Sequence, residues 1–424
     1  MELVFDIETD GLYDEATVIW CLVAIDENNK VYSFKPDEID EGIEFLKTAD
    51  KLIGHNIIGF DIPVITKLTG VDLFKHTEVI DTLTLSRLLH PTREGGHSLE
   101  KWGWKLNCPK STQPEFSEFS DEMLEYCIQD VRVNKRVLEK LRKDSVGFDK
   151  ECIDLEHRVC IILQQQYQNG FLFDEKNAML LLSSLNKRKS EVEQEVHETF
   201  KPKWLDVKEV IPKLKKFTPT GQPIVDEGTL NKITHIHEAK LIAEFLLLQK
   251  RGAQVESWID ACKDDGRVHG SVISTGAITG RMAHRSPNMA QVPAAYSPYG
   301  KECRSCWTVA KGYKLVGIDA SQLELRLLAH YMADEDYINE IINGDIHTTN
   351  QHLAGLKSRD EAKTFIYALI YGAGDEKIGS IIKGSRVEGK RLRERFLSSN
   401  TAFGTLKNRV DRAAEKGYLK GLDG

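Results

Sequence analysis

The stretch FDIETDG near the amino terminus constrains the fold more than any other feature of this sequence. Asp6 and Glu8 lie two residues apart inside an apolar, strand-like run, so both side chains project from one face of the strand. Two carboxylates on one face repel each other unless a cation lies between them, and this pattern favours a divalent metal. Three strand-like runs within residues 1–34, followed by helical patterns, predict a mixed α/β domain.

Two later segments add polar groups suited to the same site. Asp61 lies in the otherwise apolar segment IGHNIIGFDIPVI, where a carboxylate without a partner is costly. Tyr126 and Asp130 are four residues apart in a helical pattern over 121–143, so they share one helix face. Four carboxylates and one phenol are what two-metal hydrolysis of a phosphodiester uses, with metals about 4 Å apart and the phenol orienting the water.

The order and local contexts of these residues resemble the three motifs of the DEDD 3′–5′ exonucleases in their tyrosine variant, which have a ribonuclease H-like fold. The segment IDTLTLSRLLHPTREGGHSLEKWG at 80–103 is similar to the linking segment of that fold. The resemblance implies that single-stranded DNA is the substrate. It also implies a catalytic set of four metal ligands and one tyrosine, namely Asp6, Glu8, Asp61, Asp130 and Tyr126.

A second group of polar residues follows one predicted helix in SRDEAKTFIYALIYGAG, residues 358–374. Arg359, Lys363, Tyr367 and Tyr371 recur at intervals of four and share a face. Two cations followed by two aromatic rings suit a triphosphate at one end and a stacked base and sugar at the other. A solvated cationic face that passes into a packed aromatic one is the alternative interpretation.

Three other segments carry candidate residues. The segment LVGIDASQLELRLLAH, residues 315–330, predicts a strand that ends at Asp319 and then a helix with Glu324. In GDIHTTN, His347 lies near a predicted helix start, where backbone N–H groups favour anions. The turn-rich segment at 275–293 is either an ordinary surface loop or one that presents polar groups to a DNA backbone or minor groove, namely Arg281, Asn288 and Gln291.

These segments together resemble the family A DNA polymerases, the relatives of bacterial DNA polymerase I, and among them the replicative polymerases of T-odd bacteriophages. The resemblance implies that Asp319 binds catalytic metal with help from the Ala320 carbonyl. It assigns the sugar pocket to Glu324 and Tyr371, and base stacking to Tyr367. The residues implied to hold the triphosphate are Arg359, Lys363 and His347. Arg281 is implied to contact the minor groove near the primer end.

The expected fold is a multidomain α/β and α+β protein. Its predicted parts are a ribonuclease H-like exonuclease domain, a helical thumb, the first part of a palm and the fingers, over residues 1–145, 146–268, 269–334 and 335–424. The expected function is DNA-templated DNA polymerisation with 3′–5′ proofreading. Mg²⁺ is the expected cofactor, with Mn²⁺ as a substitute, and the expected partners are primer-template DNA, single-stranded DNA and dNTP.

The sequence departs from the family at the second palm carboxylate, which relatives carry in a His-Asp-Glu triplet. Residues 375–424 contain no such triplet. We therefore expect an incomplete palm with exposed apolar surface, and a second polypeptide that completes the polymerase site. The segment 201–237 is too short for the insertion that binds thioredoxin, so no thioredoxin partner is expected.

Two other functions remain open. One is a stand-alone 3′–5′ DNA exonuclease whose degenerate polymerase half acts as a DNA clamp. The other is a non-catalytic DNA-binding scaffold, against which the set of four carboxylates argues.

Charge and composition agree with a nucleic-acid enzyme. The net charge of −8 divides into −11 for residues 1–150 and +3 for residues 151–424, as expected for a metal-binding module joined to a part that follows phosphates. No apolar run approaches membrane-spanning length, and the acidic amino terminus predicts no signal peptide, so we expect a cytoplasmic protein without membrane contact. The eight cysteines are expected to be reduced, and CRSC lacks further ligands for zinc.

Overall fold

The computed structural model describes residues 1–200, 230, 233, 235–417 and 419. It divides into two compact units, Met1–Leu315 and Val316–Gly424. The four predicted domain ranges are finer than this division and stay predictions. Most of the segment 201–237, on which the thioredoxin prediction depends, lies outside the described residues.

A five-stranded mixed sheet organises the start of the first unit. Its strands are β1 (Glu2–Thr9), β2 (Ile19–Asp26), β3 (Val31–Phe34), β4 (Lys51–Gly54) and β5 (Glu78–Asp81). In the order β3-β2-β1-β4-β5, the strand β1 is antiparallel to β2 and parallel to β4. Phe5 packs into one apolar cluster and Val4 into another, so the central strand has a hydrophobic core on both faces.

Helices cover both faces of this sheet. They are α1 (Ile39–Leu46), α2 (Asp61–Thr69), α3 (Thr82–Leu89), α4 (Leu99–Lys105) and α5 (Asp121–Asp144). The helix α5 begins where the Ser120 side chain accepts a hydrogen bond from the Met123 N–H at 3.1 Å, a normal N-cap. Its apolar stripe, including Met123 and Cys127, packs against Val23 of β2. The mixed α/β domain and the helix over 121–143 are therefore as predicted.

The described part of the rest of the first unit is mainly helical, with four short strands. The helices are α6 (Lys150–Asn169), α7 (Glu175–Phe200), α8 (His237–Asp260) and α9 (Gly300–Ser305). The strands are β6 (Phe171–Leu172), β7 (Arg267–Val268), β8 (Ser271–Ile273) and β9 (Ala283–Arg285). Cys303 and Cys306 of the CRSC segment are buried in the core between α7 and α8, which also holds Trp258. All eight cysteines are free thiols, as predicted.

The regular elements of the second unit, as far as it is described, are all helices. They are α10 (Leu323–Met332), α11 (Glu335–Asn343), α12 (Ile346–Ala354), α13 (Arg359–Ile370), α14 (Asp375–Ile381), α15 (Arg386–Ser399) and α16 (Thr401–Ala414). Phe365, Phe396 and Phe403 form its aromatic centre, with ring centres 5.4 and 5.7 Å apart along the row. A capping box between Ser358 and Glu361 defines the start of α13.

The strand predicted to end at Asp319 is wrong for this structure. Residues 313–320 belong to no regular element, and the side chains of Leu315, Val316 and Ile318 are 68, 78 and 94% exposed. A strand forms only when a neighbour accepts and donates its backbone hydrogen bonds, and none of the described strands pairs with this segment. The apolar pattern is present, but the sheet that would make it a strand is not.

None of the helices in the described parts of the chain combines the length and the apolar character needed to cross a membrane.

Candidate active sites

The predicted exonuclease residues converge on one pocket of the first unit. Asp6, Glu8, Asp61, Tyr126 and Asp130 all line it. The central strand β1 supplies the first two from one face. Asp61 begins α2 and is 2% exposed, and its Oδ1 accepts a hydrogen bond from the Ile7 N–H at 3.1 Å. This bond ties the start of α2 to β1 between the two strand carboxylates.

The helix α5 supplies the remaining two predicted residues. Tyr126 and Asp130 are one helical turn apart, and both are buried. The helix packs on β1 and β2, which brings this face over Asp6 and Glu8. The strand period places Asp6 and Glu8 on one face of β1, and the helix period places Tyr126 and Asp130 on one face of α5.

Crowding of buried carboxylates raises their pKa values. Burial, followed by repulsion from Asp61, raises the pKa of Asp6 well above its usual range. Burial and then Asp130 raise the pKa of Glu8 to about 8, and burial raises those of Asp61 and Asp130 to about 7 and about 6. A divalent cation would reduce this repulsion, because cations favour the ionised form of each carboxylate.

The donor set fits a divalent metal. The Oδ1 atom of Asp130 is buried and has no hydrogen-bond partner among the described residues, so it is available as a ligand. Ligand atoms of Asp6, Glu8 and Cys127 lie within 4.8 Å of one another. Carboxylate oxygens are the ligands that Mg²⁺ and Mn²⁺ prefer, so the carboxylates of this pocket are suitable for them.

Two titratable residues that line the pocket, Lys110 and His55, were not predicted as site residues. Lys110 forms an ion pair with Asp130, and its Nζ lies 4.7 Å from the centre of the Tyr126 ring. Although burial works against the charge, Asp130 raises the pKa of Lys110 above its usual range. His55 also lines the pocket. A single lysine in the loop segment NCPKSTQPEF gives no sequence signal, since nothing in its spacing points at α5.

In the second unit, the predicted cationic and aromatic stripe lies on α13. Arg359, Lys363 and Tyr367 are within the helix, and Tyr371 follows its last residue, with its N–H bonded to the Tyr367 carbonyl at 3.0 Å. The Arg359 guanidinium is engaged by Asp345 through two hydrogen bonds, Nε to Oδ2 at 2.7 Å and Nη2 to Oδ1 at 3.0 Å. This bond to Arg359 lowers the pKa of Asp345 far below its usual range.

Two more predicted nucleotide-site residues contact this stripe. His347 is 4% exposed, and its ring lies 6.3 Å from that of Tyr367. Burial, followed by the charge of Arg359, lowers the pKa of His347. The Tyr371 hydroxyl donates a hydrogen bond to Glu324 Oε1 at 2.9 Å, which joins the start of α10 to the end of α13. The structure thus pairs His347 with Tyr367 and Glu324 with Tyr371, whereas the hydrogen bonds of Arg359 go to Asp345.

The predicted polymerase metal ligands lie apart from regular structure. Asp319 and Ala320 are exposed at the end of the irregular segment 313–320. No hydrogen bond or ion pair of Asp319 is found among the described residues, in contrast to the carboxylates of the first pocket.

The three predicted DNA-contacting residues lie in the first unit, in and after the β8–β9 hairpin. Arg281 is exposed in the hairpin loop, where its carbonyl accepts a hydrogen bond from the Ala277 N–H at 3.0 Å. Asn288 caps the short turn Met289–Gln291 by accepting from the Ala290 N–H at 3.1 Å. Gln291 ends that turn, and its carbonyl accepts from Gln254 of α8 at 2.7 Å. These side chains are on one connected loop region.

Comparison with known proteins assigns both halves of the chain to families. Residues 181–424 match the model of DNA polymerase family A, and residues 3–103 match that of the RNase_H superfamily. The DNA-directed DNA polymerase of Enterobacteria phage T3 is 31% identical over 100% of this chain and 85% of its own length. The enzyme of the same name from Escherichia phage T7 has the same identity and coverage.

A solved structure supports the fold. The POL domain of Pol1 from M. smegmatis, in complex with DNA primer-template and dNTP, has a TM-score of 0.79. It covers 100% of this chain and 76% of that chain at 18% identity.

The chain belongs to DNA polymerase family A and carries an RNase H-like domain at its amino terminus. The predicted family, fold class and enzyme class are confirmed, and proteins of both families generally use divalent metals.

Proposed function

We propose that the amino-terminal domain is a 3′–5′ exonuclease that removes nucleotides from single-stranded DNA. The observation that carries this proposal is the convergence of four carboxylates and one tyrosine in a single pocket. Asp6, Glu8, Asp61 and Asp130 would hold two Mg²⁺ ions, with Mn²⁺ as a substitute. When bound, the ions supply an activated water and stabilise the leaving oxygen. Tyr126 would orient that water through its hydroxyl, since it lines the same pocket as the four carboxylates.

The test is nuclease activity of the full chain on 5′-labelled single-stranded DNA with Mg²⁺. Asp6→Ala removes one proposed ligand and should lower the rate by about 10²-fold or more. Tyr126→Phe keeps the ring and should lower the rate by a smaller factor. The matched control is Asp50→Ala, because Asp50 is an exposed carboxylate paired with the amino terminus of the chain. An unchanged rate in Asp6→Ala would exclude this site.

For the second half of the chain, the proposed function is DNA-templated addition of dNTP to a primer. Arg359, Lys363 and His347 would hold the triphosphate, Tyr367 would stack on the base, and Glu324 with Tyr371 would shape the sugar pocket. The contacts among these side chains on α10, α12 and α13 support the assignment. Asp319 with the Ala320 carbonyl would bind metal. The side chains that would contact primer-template DNA are Arg281, Asn288 and Gln291.

The proposed polymerase site also needs a further polypeptide segment that carries a second metal-binding carboxylate. The exposed side chains of Leu315, Val316 and Ile318 support this proposal, because they form an apolar surface next to Asp319 of the kind that an adjoining strand covers. The segment would pair with residues 315–319 and bring its carboxylate to Asp319.

This requirement is tested by primer extension. The 424-residue chain alone should extend a primer poorly, and addition of a polypeptide that contains the His-Asp-Glu triplet of the phage relatives should restore extension. Efficient extension by the chain alone would contradict the proposal. Because T3 and T7 are phages, the proposed place of action is the cytoplasm of a bacterial host.

One observation favours an alternative function, a stand-alone exonuclease whose polymerase half only clamps DNA. All five predicted exonuclease residues line one pocket, whereas Asp319 lies exposed in an irregular segment. The alternative predicts that no added polypeptide restores extension. It also predicts that Arg281→Ala weakens DNA binding and slows degradation of long substrates while degradation of a dinucleotide is unchanged.

A further inference from the structure

Lys110 places a positive charge among the four carboxylates of the exonuclease pocket. Its Nζ pairs with Asp130 and lies 4.7 Å from the Tyr126 ring centre. The Lys110 side chain is 22% exposed and that of Asp130 is 5% exposed, so solvent screens this pair less than a surface pair. The charge of Lys110 also acts on Asp6 and Glu8. It partly neutralises the carboxylate set.

The two residues immediately before Lys110 are held by hydrogen bonds to neighbouring helices, which favours entry of the lysine side chain into the pocket. The Gln129 side chain donates a hydrogen bond to the Pro109 carbonyl at 2.9 Å. One residue earlier, the Cys108 N–H donates a hydrogen bond to the Gly103 carbonyl of α4 at 2.9 Å. The two segments are closely packed, because a Cβ at Gly103 would lie 2.7 Å from the Cys108 carbonyl oxygen. Two elements, α4 and α5, thus hold the residues immediately before Lys110. Gln129 directly precedes Asp130, so one turn of α5 anchors the loop and receives its lysine.

Lys110 and a metal compete for the same carboxylate. Asp130 offers two oxygens, of which Oδ2 is bound by Lys110 and Oδ1 has no partner among the described residues. A divalent ion that engages this carboxylate fully must break or share the bond to Lys110. The four carboxylates carry a formal charge of −4, which two divalent ions neutralise without the lysine. The ammonium group is therefore surplus when two ions are bound.

We propose that Lys110 is a positioning residue that acts as a built-in counter-cation for Asp130, and that its displacement sets the divalent metal concentration at which the exonuclease site fills. In the metal-free protein it holds Asp130 and stabilises the folded pocket. A divalent ion that takes up both oxygens of Asp130 would displace Lys110 from this ion pair. This inference rests on the proposed exonuclease site.

The direct test is metal binding without DNA and without catalysis. Mn²⁺ is titrated into the full chain and the free ion is measured by electron paramagnetic resonance. The titrations use an Asp319→Ala background, which removes the proposed polymerase ligand. Lys110→Met removes the competing charge at similar side-chain length and should tighten Mn²⁺ binding by about three- to fivefold, the upper part of the range for one ion pair.

Two control variants separate charge from structure. Lys110→Arg keeps the positive charge and should leave Mn²⁺ affinity within about twofold of the parent, since an ion pair with Asp130 is retained. Lys47→Met removes a surface lysine that pairs with Glu44 at 2.8 Å, and this variant should bind Mn²⁺ with the parent's affinity. Mn²⁺ affinity that is unchanged or weaker in Lys110→Met would overturn the proposal.

Thermal unfolding supplies an independent readout. In EDTA, Lys110→Met should melt at a lower temperature than the parent, because the carboxylates lose their internal cation. In saturating Mn²⁺ this difference should shrink or disappear. A variant that folds only with Mn²⁺ would support the proposal equally, whereas an equal loss of stability in both conditions would overturn it.

One more variant distinguishes failure of this inference from failure of the proposed nuclease site. Asp130→Asn removes a proposed ligand and should weaken Mn²⁺ binding. If Asp130→Asn leaves Mn²⁺ binding unchanged, the proposed metal site itself is wrong. If Asp130→Asn weakens binding and Lys110→Met does not strengthen it, the metal site stands and the role of Lys110 is refuted.

Discussion

At the scale of single residues, a neutral histidine supports the wall of the proposed exonuclease pocket. The His55 Nδ1 lies 2.9 Å from Thr82 Oγ1. The Thr82 hydroxyl donates its proton to Asn134 Oδ1 at 2.7 Å, so Nδ1–H of His55 donates to the hydroxyl oxygen. Burial lowers the pKa of His55 to about 4. The ring is therefore a neutral structural donor at physiological pH.

This neutral state makes stability depend on pH. The unfolded chain protonates His55 near pH 6.5, but the folded chain does so only near pH 4. The stabilisation that depends on neutral His55 is fully present above pH 6.5 and is lost as the pH falls towards 4. Between pH 7.5 and 5.0 the loss is at most about 2 kcal/mol in the free energy of unfolding.

His55→Gln should reduce the loss of stability between these two pH values, measured by urea unfolding. Replacement of the exposed His76 by Gln is the control and should retain the parent's dependence. An identical pH dependence in His55→Gln and the parent would show that His55 is not the responsible group.

A second residue-scale prediction concerns Asp345, which binds Arg359 and caps α12. Asp345→Asn keeps an acceptor for the His347 N–H, because asparagine is as good an N-cap as aspartate, but it removes the ion pair. The freed guanidinium should bind triphosphate more tightly, by about two- to fivefold. Anisotropy of a fluorescent dNTP measures this change.

The control for Asp345→Asn is Asp334→Asn. Asp334 caps α11 by accepting from the Tyr337 N–H at 3.0 Å, and this variant should not alter dNTP affinity. Weaker dNTP binding in Asp345→Asn would mean that Asp345 orients Arg359 for the nucleotide and does not compete with the triphosphate for the guanidinium.

At the scale of elements, two helices of the second unit pack so closely that a glycine is required. A Cβ on Gly389 of α15 would lie 2.0 Å from the Asp375 carbonyl oxygen and 2.5 Å from the Gly379 nitrogen, both in α14. Alanine inside a helix normally stabilises it relative to glycine. Here the backbone atoms of α14 cannot move aside without separating the two helices. We therefore expect alanine at position 389 to destabilise the protein relative to glycine.

Gly389→Ala should therefore destabilise the second unit by about 1–3 kcal/mol, as other overpacked sites do. Hydrogen exchange of the α14 and α15 amides measures the change. Gly374→Ala is the matched control, because a Cβ at Gly374 meets no atom within 4 Å. Equal protection in Gly389→Ala and the parent would show that the helix pair adjusts freely.

The sequence predicted features that depend on a single element, and it did not predict features that depend on contacts between elements. Spacing within one element was sufficient for Asp6 with Glu8, and for Tyr126 with Asp130, because a strand or helix has a fixed period. The strand before Asp319 was mispredicted, since strands depend on neighbours that local sequence does not report. Lys110 was missed because its position depends on Gln129, in another element, which anchors the preceding proline.

At the scale of the whole molecule, charge is divided unevenly along the chain, at −11 over residues 1–150 and +3 over the rest. Cationic side chains on α15 are exposed, including Arg386 and Arg391. Phosphate contacts release counterions, so the affinity for DNA falls as salt rises. We expect the basic part of the chain to carry this salt dependence.

Replacing Arg386 and Arg391 together by Gln should lower the magnitude of the slope of log affinity against log salt by about 1 to 2 for primer-template DNA. Binding is measured in EDTA to prevent cleavage. The control replaces Lys35 and Lys75 of the acidic part by Gln and should leave the slope unchanged. A slope that changes only in the control would place the DNA contacts in the first 150 residues.

The irregular segment 313–320 also has a consequence for handling the protein. Leu315, Val316 and Ile318 present a short apolar strip whose backbone groups are unpaired with any described strand. In a concentrated solution, the apolar segments of two protein copies can pair as an intermolecular two-stranded β-sheet, which covers both segments. Samples should therefore self-associate and lose solubility as concentration rises, and a charged residue in place of Val316 should keep them dispersed.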